Sequence, residues 1–142
     1  MKIFTLTGVG DTGKTTTLNL LFDKLNFYPI EHLEVKQSRK SDKKDFKATF
    51  LLNGVAVGLG SSGDTRSEIE KNFDFFESHL CSVCLCNVRT KGGTQAYLEE
   101  RIAIGDMVDQ TEKTVNKQKQ NEANERDAEI LLRKLLTELH VI

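Results

Sequence analysis

Between Gly8 and Thr15 the chain reads GVGDTGKT: a short glycine-flanked loop, then a lysine and a hydroxyl residue. Those residue types at that spacing hold a chain of phosphates. Glycines let backbone N–H groups curl around an anion. A helix that begins where the loop ends adds unpaired N–H donors and the positive end of its dipole. In the pattern G-x-x-x-x-G-K-[ST], Lys14 reaches the β- and γ-phosphates and the Thr15 hydroxyl goes to Mg²⁺. Gly8, Gly10, Asp11, Thr12, Gly13, Lys14, Thr15 and Thr16 are therefore the expected ligand contacts. The plain alternative is a glycine turn that binds nothing. The flanks argue against it. Residues 2–7 read as a short buried strand built on Ile3, Phe4 and Leu6, and residues 15–26 as a helix. Strand, loop and helix is the setting in which this pattern binds phosphate.

This unit resembles the Walker A loop of P-loop NTPases, over residues 1–26. The resemblance implies ATP or GTP as ligand, with Mg²⁺. It does not name a reaction, because one fold hosts many chemistries. The guanine motif of small regulatory GTPases would be N/T-K-x-D after a later strand. Asn87-Val88-Arg89-Thr90 fails that pattern, so ATP is preferred. GKTTTLNLL looks like the phosphate loop of transporter ATPases, but no LSGGQ-type signature follows. Partition ATPases share GKTTT, yet their extra early lysine is missing from Val9–Thr12. In size and layout the chain is most similar to small nucleotide or metabolite kinases.

A phosphoryl-transfer site also needs a carboxylate near the metal, at the carboxyl end of a neighbouring strand. Asp64 closes the run VAVGLGSSGD and is the expected metal-orienting acid. Two serines and a glycine separate it from the last apolar run, so it also reads as a turn or helix-cap aspartate. NVRTKGGT, residues 87–94, follows a second apolar strand. There Arg89 and Lys91 are placed to neutralise a transferring γ-phosphate, and Gly92, Gly93 and Thr94 to form an anion nest. An ordinary surface turn is the competing reading.

The elements that must position these residues follow from periodicity. Leu18, Leu21, Phe22 and Leu25 share a face of the first helix. Residues 31–36 read as a weak strand. Residues 36–47 carry six basic and two acidic residues and read as a solvated loop. Asn53-Gly54 is a hairpin signal between two β-type stretches, 47–52 and 55–60. Residues 65–80 read as a helix with the stripe Ile69, Phe73, Phe76, Leu80, opened by a capping box from Thr65 with Glu68 or Ser67 with Glu70. Residues 82–88 read as a buried strand holding Cys84 and Cys86, with Cys81 just before it. A zinc site from these and His79 would lack the usual second ligand pair. Residues 94–104 read as a helix stopped by Gly105. Residues 106–126 are polar and without apolar period, so a linker or exposed helix is expected. The final stretch, 127–140, is an amphipathic helix with Ala128, Leu131, Leu132, Leu135, Leu136 and Leu139 on one face, which must cover the sheet or a partner.

Strands alternating with helices imply one α/β domain over residues 1–142. Its expected form is a three-layer α/β/α sandwich of P-loop NTPase type, with a mostly parallel sheet and one β-hairpin. A net charge of −1 gives no overall field toward nucleic acid. No run is apolar enough to span a bilayer, and no secretory leader is readable. With an NTP as ligand, a cytoplasmic setting is expected. Two functions remain: a small ATP-dependent phosphotransferase or ATPase, or a nucleotide-dependent module that regulates a protein partner, with a homodimer through the last helix as one form.

Overall fold

The computed structural model describes residues 1–10, 12–37 and 45–142. In chain order the elements are β1 (Lys2–Thr7), α1 (Lys14–Leu25), β2 (Glu31–Gln37), β3 (Phe46–Leu52), β4 (Val55–Gly60), α2 (Arg66–Ser78), β5 (Val83–Val88), α3 (Gly93–Ala103), β6 (Met107–Glu112) and α4 (Gln120–Glu138). The strands form one six-stranded sheet in the order β2-β3-β4-β5-β1-β6. β4, β5, β1 and β6 run parallel. β2, β3 and β4 are joined as an antiparallel meander. The β3–β4 turn has positive φ at both Asn53 and Gly54, as a tight hairpin of this twist requires.

Alternation along the strands fills both faces. Phe4, Leu6, Val57, Leu59, Val83 and Leu85 share one core with Leu18 and Leu21 of α1 and Leu131 and Leu135 of α4. Ile3, Cys84, Cys86 and Val88 share the other with Ile69, Phe73 and Phe76 of α2 and Leu98 of α3. The result is the expected three-layer α/β/α sandwich with a mixed, mostly parallel sheet. Cys81, Cys84 and Cys86 are free thiols packed in the second core. Burial pushes the Cys81 thiol up to about 11 and raises that of Cys84 as well. Among the described residues, no helix is long and apolar enough to cross a membrane.

Two expectations need correction. Residues 106–126 are neither linker nor exposed helix: they hold β6, a loop, and the first turns of α4. β6 lacks an apolar signature because it lies at the sheet edge, where polar side chains find partners. Lys134 Nζ donates to Asp109 Oδ1 and Thr111 Oγ1, both at 2.7 Å, and Thr7 Oγ1 donates to Gln110 Oε1 at 2.9 Å. The leucine stripe of α4 is also spent within the chain. Ala128, Leu131, Leu132, Leu135, Leu136 and Leu139 are all buried against the sheet and α1. Each buried leucine contributes about 1.5–3 kcal/mol, so this face belongs to the fold and is closed to a partner or second copy.

Candidate functional site

Because β4, β5, β1 and β6 are parallel, their carboxyl ends share one edge of the sheet. Four loops gather there: 8–13 after β1, 61–65 after β4, 89–92 after β5 and 113–119 after β6. β3 runs the other way, so its start brings Asp45 to the same edge.

The loop after β1 is held by its own polar groups. Gly8 N donates to Val88 O at 3.2 Å, and Thr12 Oγ1 to Val9 O at 2.8 Å. Gly13 has φ 89, a conformation open to glycine, and caps α1. Its carbonyl accepts from Thr17 N at 2.9 Å and Thr17 Oγ1 at 2.8 Å. Lys14 is 6% exposed and lies back over the loop, donating to Gly8 O at 2.6 Å and Val9 O at 3.1 Å. Thr15 and Thr16 sit on the first turn of α1 and line a cleft of about 920 Å³. Asp11 lies outside the described residues, as does most of the basic stretch 36–47.

Asp64 Oδ1 is 3.8 Å from Lys14 Nζ and 3.4 Å from Arg89 Nε. Arg89 in turn lies on the loop: a Cβ at Gly10 would stand 3.0 Å from its Nη2. So Gly10, Lys14, Asp64 and Arg89 form one cluster. Asp64 is not the cap of α2. Thr65 is, its Oγ1 accepting from Glu68 N at 3.2 Å while donating to Glu68 Oε1. Gly63 presses against the end of β5, where a Cβ would fall 1.7 Å from Asn87 O. Asn87 Nδ2 also donates to Ser61 O at 2.8 Å. Together these contacts fix the segment that presents Asp64.

The backbone of Arg89 is fixed by α3. Arg89 N donates to Thr94 Oγ1 at 3.1 Å, and Gln95 Nε2 to Arg89 O at 2.8 Å. Thr94 is thereby used to hold the arginine loop, and Gly93 faces Arg66. Lys91 stands exposed on that loop, and no contact joins it to the cluster among the described residues.

Sequence reasoning missed Asp45. Its Oδ1 accepts from Thr15 Oγ1 and from Ser61 Oγ, each at 3.1 Å. Ser61 Oγ also accepts from Phe46 N at 2.8 Å, tying the start of β3 to the end of β4. The signal was present: Asn53-Gly54 turns β3 antiparallel, which puts whatever precedes Phe46 beside the 8–13 loop. Asp45 was hidden among the charges of 36–47.

A second missed group buttresses the loop from α4. The side chains of Lys113 and Asp127 are fully buried and pair at 2.8 Å. Asp127 also accepts from Thr114 N and Thr114 Oγ1, both at 2.8 Å. Lys113 N bonds Thr7 O at 2.7 Å, and its Cβ would stand 2.9 Å from a Cβ at Gly8. Two turns earlier on α4, Gln120 Nε2 donates to Thr12 O, Thr114 O and Asn124 Oδ1. Asn124 packs on Gly13, where a Cβ would meet its Oδ1 at 2.5 Å.

The cleft runs from Gln120 and Asn124, past Thr12–Thr16, to Asp45 and Ser61–Asp64, and continues along α1 by Asn19, Phe22 and Asp23 to Gln37. Among the described residues, no group of three or more His, Cys, Asp or Glu is arranged as a metal cage. The chain matches no protein-family model, no curated protein and no solved structure.

Proposed function

We propose that the chain binds a nucleoside triphosphate, ATP in preference to GTP, together with Mg²⁺, and transfers its terminal phosphate. The observation that carries this is the convergence at the start of α1: Lys14 and Arg89 from one side, Asp45 on the Thr15 hydroxyl from the other, and Asp64 between the cations.

The roles follow from charge and reach. The backbone N–H groups of 8–15 and the N-terminus of α1 hold the phosphates. The Lys14 ammonium, which rests on two loop carbonyls, exchanges them for the more strongly attracting β- and γ-phosphate oxygens. Arg89 neutralises charge at the terminal phosphate. A hydroxyl and carboxylates are the hard oxygen donors that Mg²⁺ prefers. It is commonly held by one or two carboxylates plus substrate phosphates rather than by an all-protein cage. Thr15 and Asp45 fit that demand, with Asp64 nearby. Mg²⁺ bound there would offset the charge of the transferring phosphate.

Transfer is favoured over simple hydrolysis by the shape of the cleft. It continues beyond the phosphate end along Asn19, Phe22, Asp23 and Gln37, which leaves room for an acceptor. Single-turnover assays with γ-labelled ATP and GTP test this, alone and with a panel of nucleosides and nucleotides. Label transfer that needs an acceptor is the expected result. Slow phosphate release without one means an ATPase or a nucleotide-dependent regulator, and no consumption of either triphosphate overturns the catalytic reading.

A further inference from the structure

We propose that Lys36, Lys47 and Lys71, gathered on the sheet face beside α2, bind the phosphate backbone of a nucleic acid strand. The cluster is built by strand pairing. β2 and β3 are antiparallel, and their register sets Lys36 directly opposite Lys47. Like charges at opposed positions repel and cost stability. Both side chains lie over α2, where Lys36 Nζ stands 5.2 Å and Lys47 Nζ 5.4 Å from the centre of the Phe75 ring. Attraction to the ring holds the two ammonium groups together. Lys71 lies one turn before Phe75 on the same helix.

The acids at this face leave the charge uncompensated. Among the described residues, none of the three lysines forms an ion pair. Glu34, on the same face of β2 as Lys36, is taken by His79 Nε2, while His79 Nδ1 meets Phe75 O at 2.8 Å. With an acceptor at each ring nitrogen, His79 is held toward its protonated form, by the Phe75 carbonyl first and Glu34 second. Asp74 is the other acid here. It favours the charged form of Lys47, but burial first, then Lys36 and Lys71, outweigh it and lower the Lys47 pKa from its ordinary 10.5. A bound anion would relieve that repulsion.

The shape of the cluster selects the ligand. Lys36 and Lys71 are exposed, so the ammonium groups are open to a ligand too large for a pocket. Phe75 is 6% exposed beneath them and offers neither a platform for stacking bases nor a wedge for a bilayer. Val35, next to Lys36, faces the other way, opposite Ala48 of the α1 and α4 core. Recognition is left to charge, which is how a phosphodiester backbone is held without regard to sequence. A net charge of −1 confines the attraction to this face.

The test is fluorescence anisotropy of labelled single-stranded oligothymidylate, titrated with the full chain as wild type, Lys36→Gln/Lys71→Gln and Lys36→Arg/Lys71→Arg. Thermal unfolding is recorded for each. Wild-type affinity is expected to fall about 20-fold between about 50 and 200 mM salt, a log–log slope of about −2 for three phosphate contacts. Lys36→Gln/Lys71→Gln should bind several-fold more weakly, with a slope of about −0.7 and no loss of unfolding temperature. The arginine variant should keep wild-type affinity and slope. No binding by wild type at about 50 mM salt, binding indifferent to salt, or equal affinity in the glutamine variant each overturns the proposal. Tighter binding to polyglutamate or to phosphatidylserine vesicles than to the oligonucleotide overturns it as well, since the ligand would then be an acidic protein or a membrane.

Discussion

The Thr15 hydroxyl donates to Asp45 Oδ1 at 3.1 Å, joining residues 30 apart in sequence. That bond sets the first residue of α1 after Lys14 against an acid delivered by an antiparallel strand. It makes Asp45, ahead of Asp64, the carboxylate in contact with the threonine of the phosphate-binding pattern.

Asp45→Asn is therefore expected to lower turnover by about 100-fold while changing ATP affinity much less. In the proposed roles, the Asp45 carboxylate on Mg²⁺ would act mainly on the transition state, and the loop backbone would supply most ground-state binding. Asp64→Asn should have the smaller effect on turnover. Measured kcat and Kd for the two variants decide between them: a larger loss for Asp64→Asn would return the metal-orienting role to Asp64.

Arg89 should distinguish triphosphate from diphosphate, and Lys91 should not. Arg89 is anchored through Thr94 and Gln95 and meets Asp64 beside Gly10, whereas Lys91 projects into solvent. The ratio of ATP to ADP affinity is expected to fall at least severalfold in Arg89→Ala and to stay at the wild-type value in Lys91→Ala. Equal ratios in both variants and wild type would remove the 89–92 loop from the site.

Much of this layout was legible in the chain, for physical reasons. The loop from Gly8 to Thr15, the Asn53-Gly54 turn and the Thr65–Glu68 capping box are local signals, written in neighbouring residues. The stripes on α1, α2 and α4 follow one helical period. What could not be read depends on tertiary pairing. β6 is polar because Lys134 and Thr7 satisfy its side chains from elsewhere in the fold. Asp45 matters only once β3 is turned antiparallel. Lys113 and Asp127 look like solvent residues until α4 packs on the fold and pairs them.

The Lys113–Asp127 pair should dominate stability at this edge. Removing one charge leaves the other buried and unpaired, a loss of about 3–5 kcal/mol. Asp127→Asn and Lys113→Met are each expected to show it in urea unfolding. The double variant Lys113→Met/Asp127→Leu should recover part of the loss, since no lone charge remains, though Thr114 still lacks its acceptor. A single variant as stable as wild type would show that water reaches the pair.

Acid stability should report Asp106. Burial alone would push its carboxyl up, but the Met1 amine at 2.8 Å and Arg101 Nε at 2.6 Å hold it below the ordinary value of 3.8. A lowered folded-state pKa stabilises the fold above the unfolded value, and that contribution fades as pH falls through the folded one. Wild type should thus lose stability relative to Asp106→Asn on acidification below about pH 4, after exceeding it at neutral pH. Parallel pH dependence in the two proteins would show that these partners do not hold the carboxylate.

Titration of ATP with Mg²⁺ into wild type and Lys14→Ala tests the central claim most directly. Lys14 Nζ donates to Gly8 O and Val9 O and stands 3.8 Å from Asp64 Oδ1, and on a phosphate it would supply a charge-assisted contact worth roughly 1.5–3 kcal/mol. The expected result is saturable binding to wild type, an affinity at least about tenfold weaker in Lys14→Ala, and the same unfolding temperature for both within a few degrees. Equal affinity in the two proteins, or no binding to wild type, would contradict the claim that this loop holds a nucleotide.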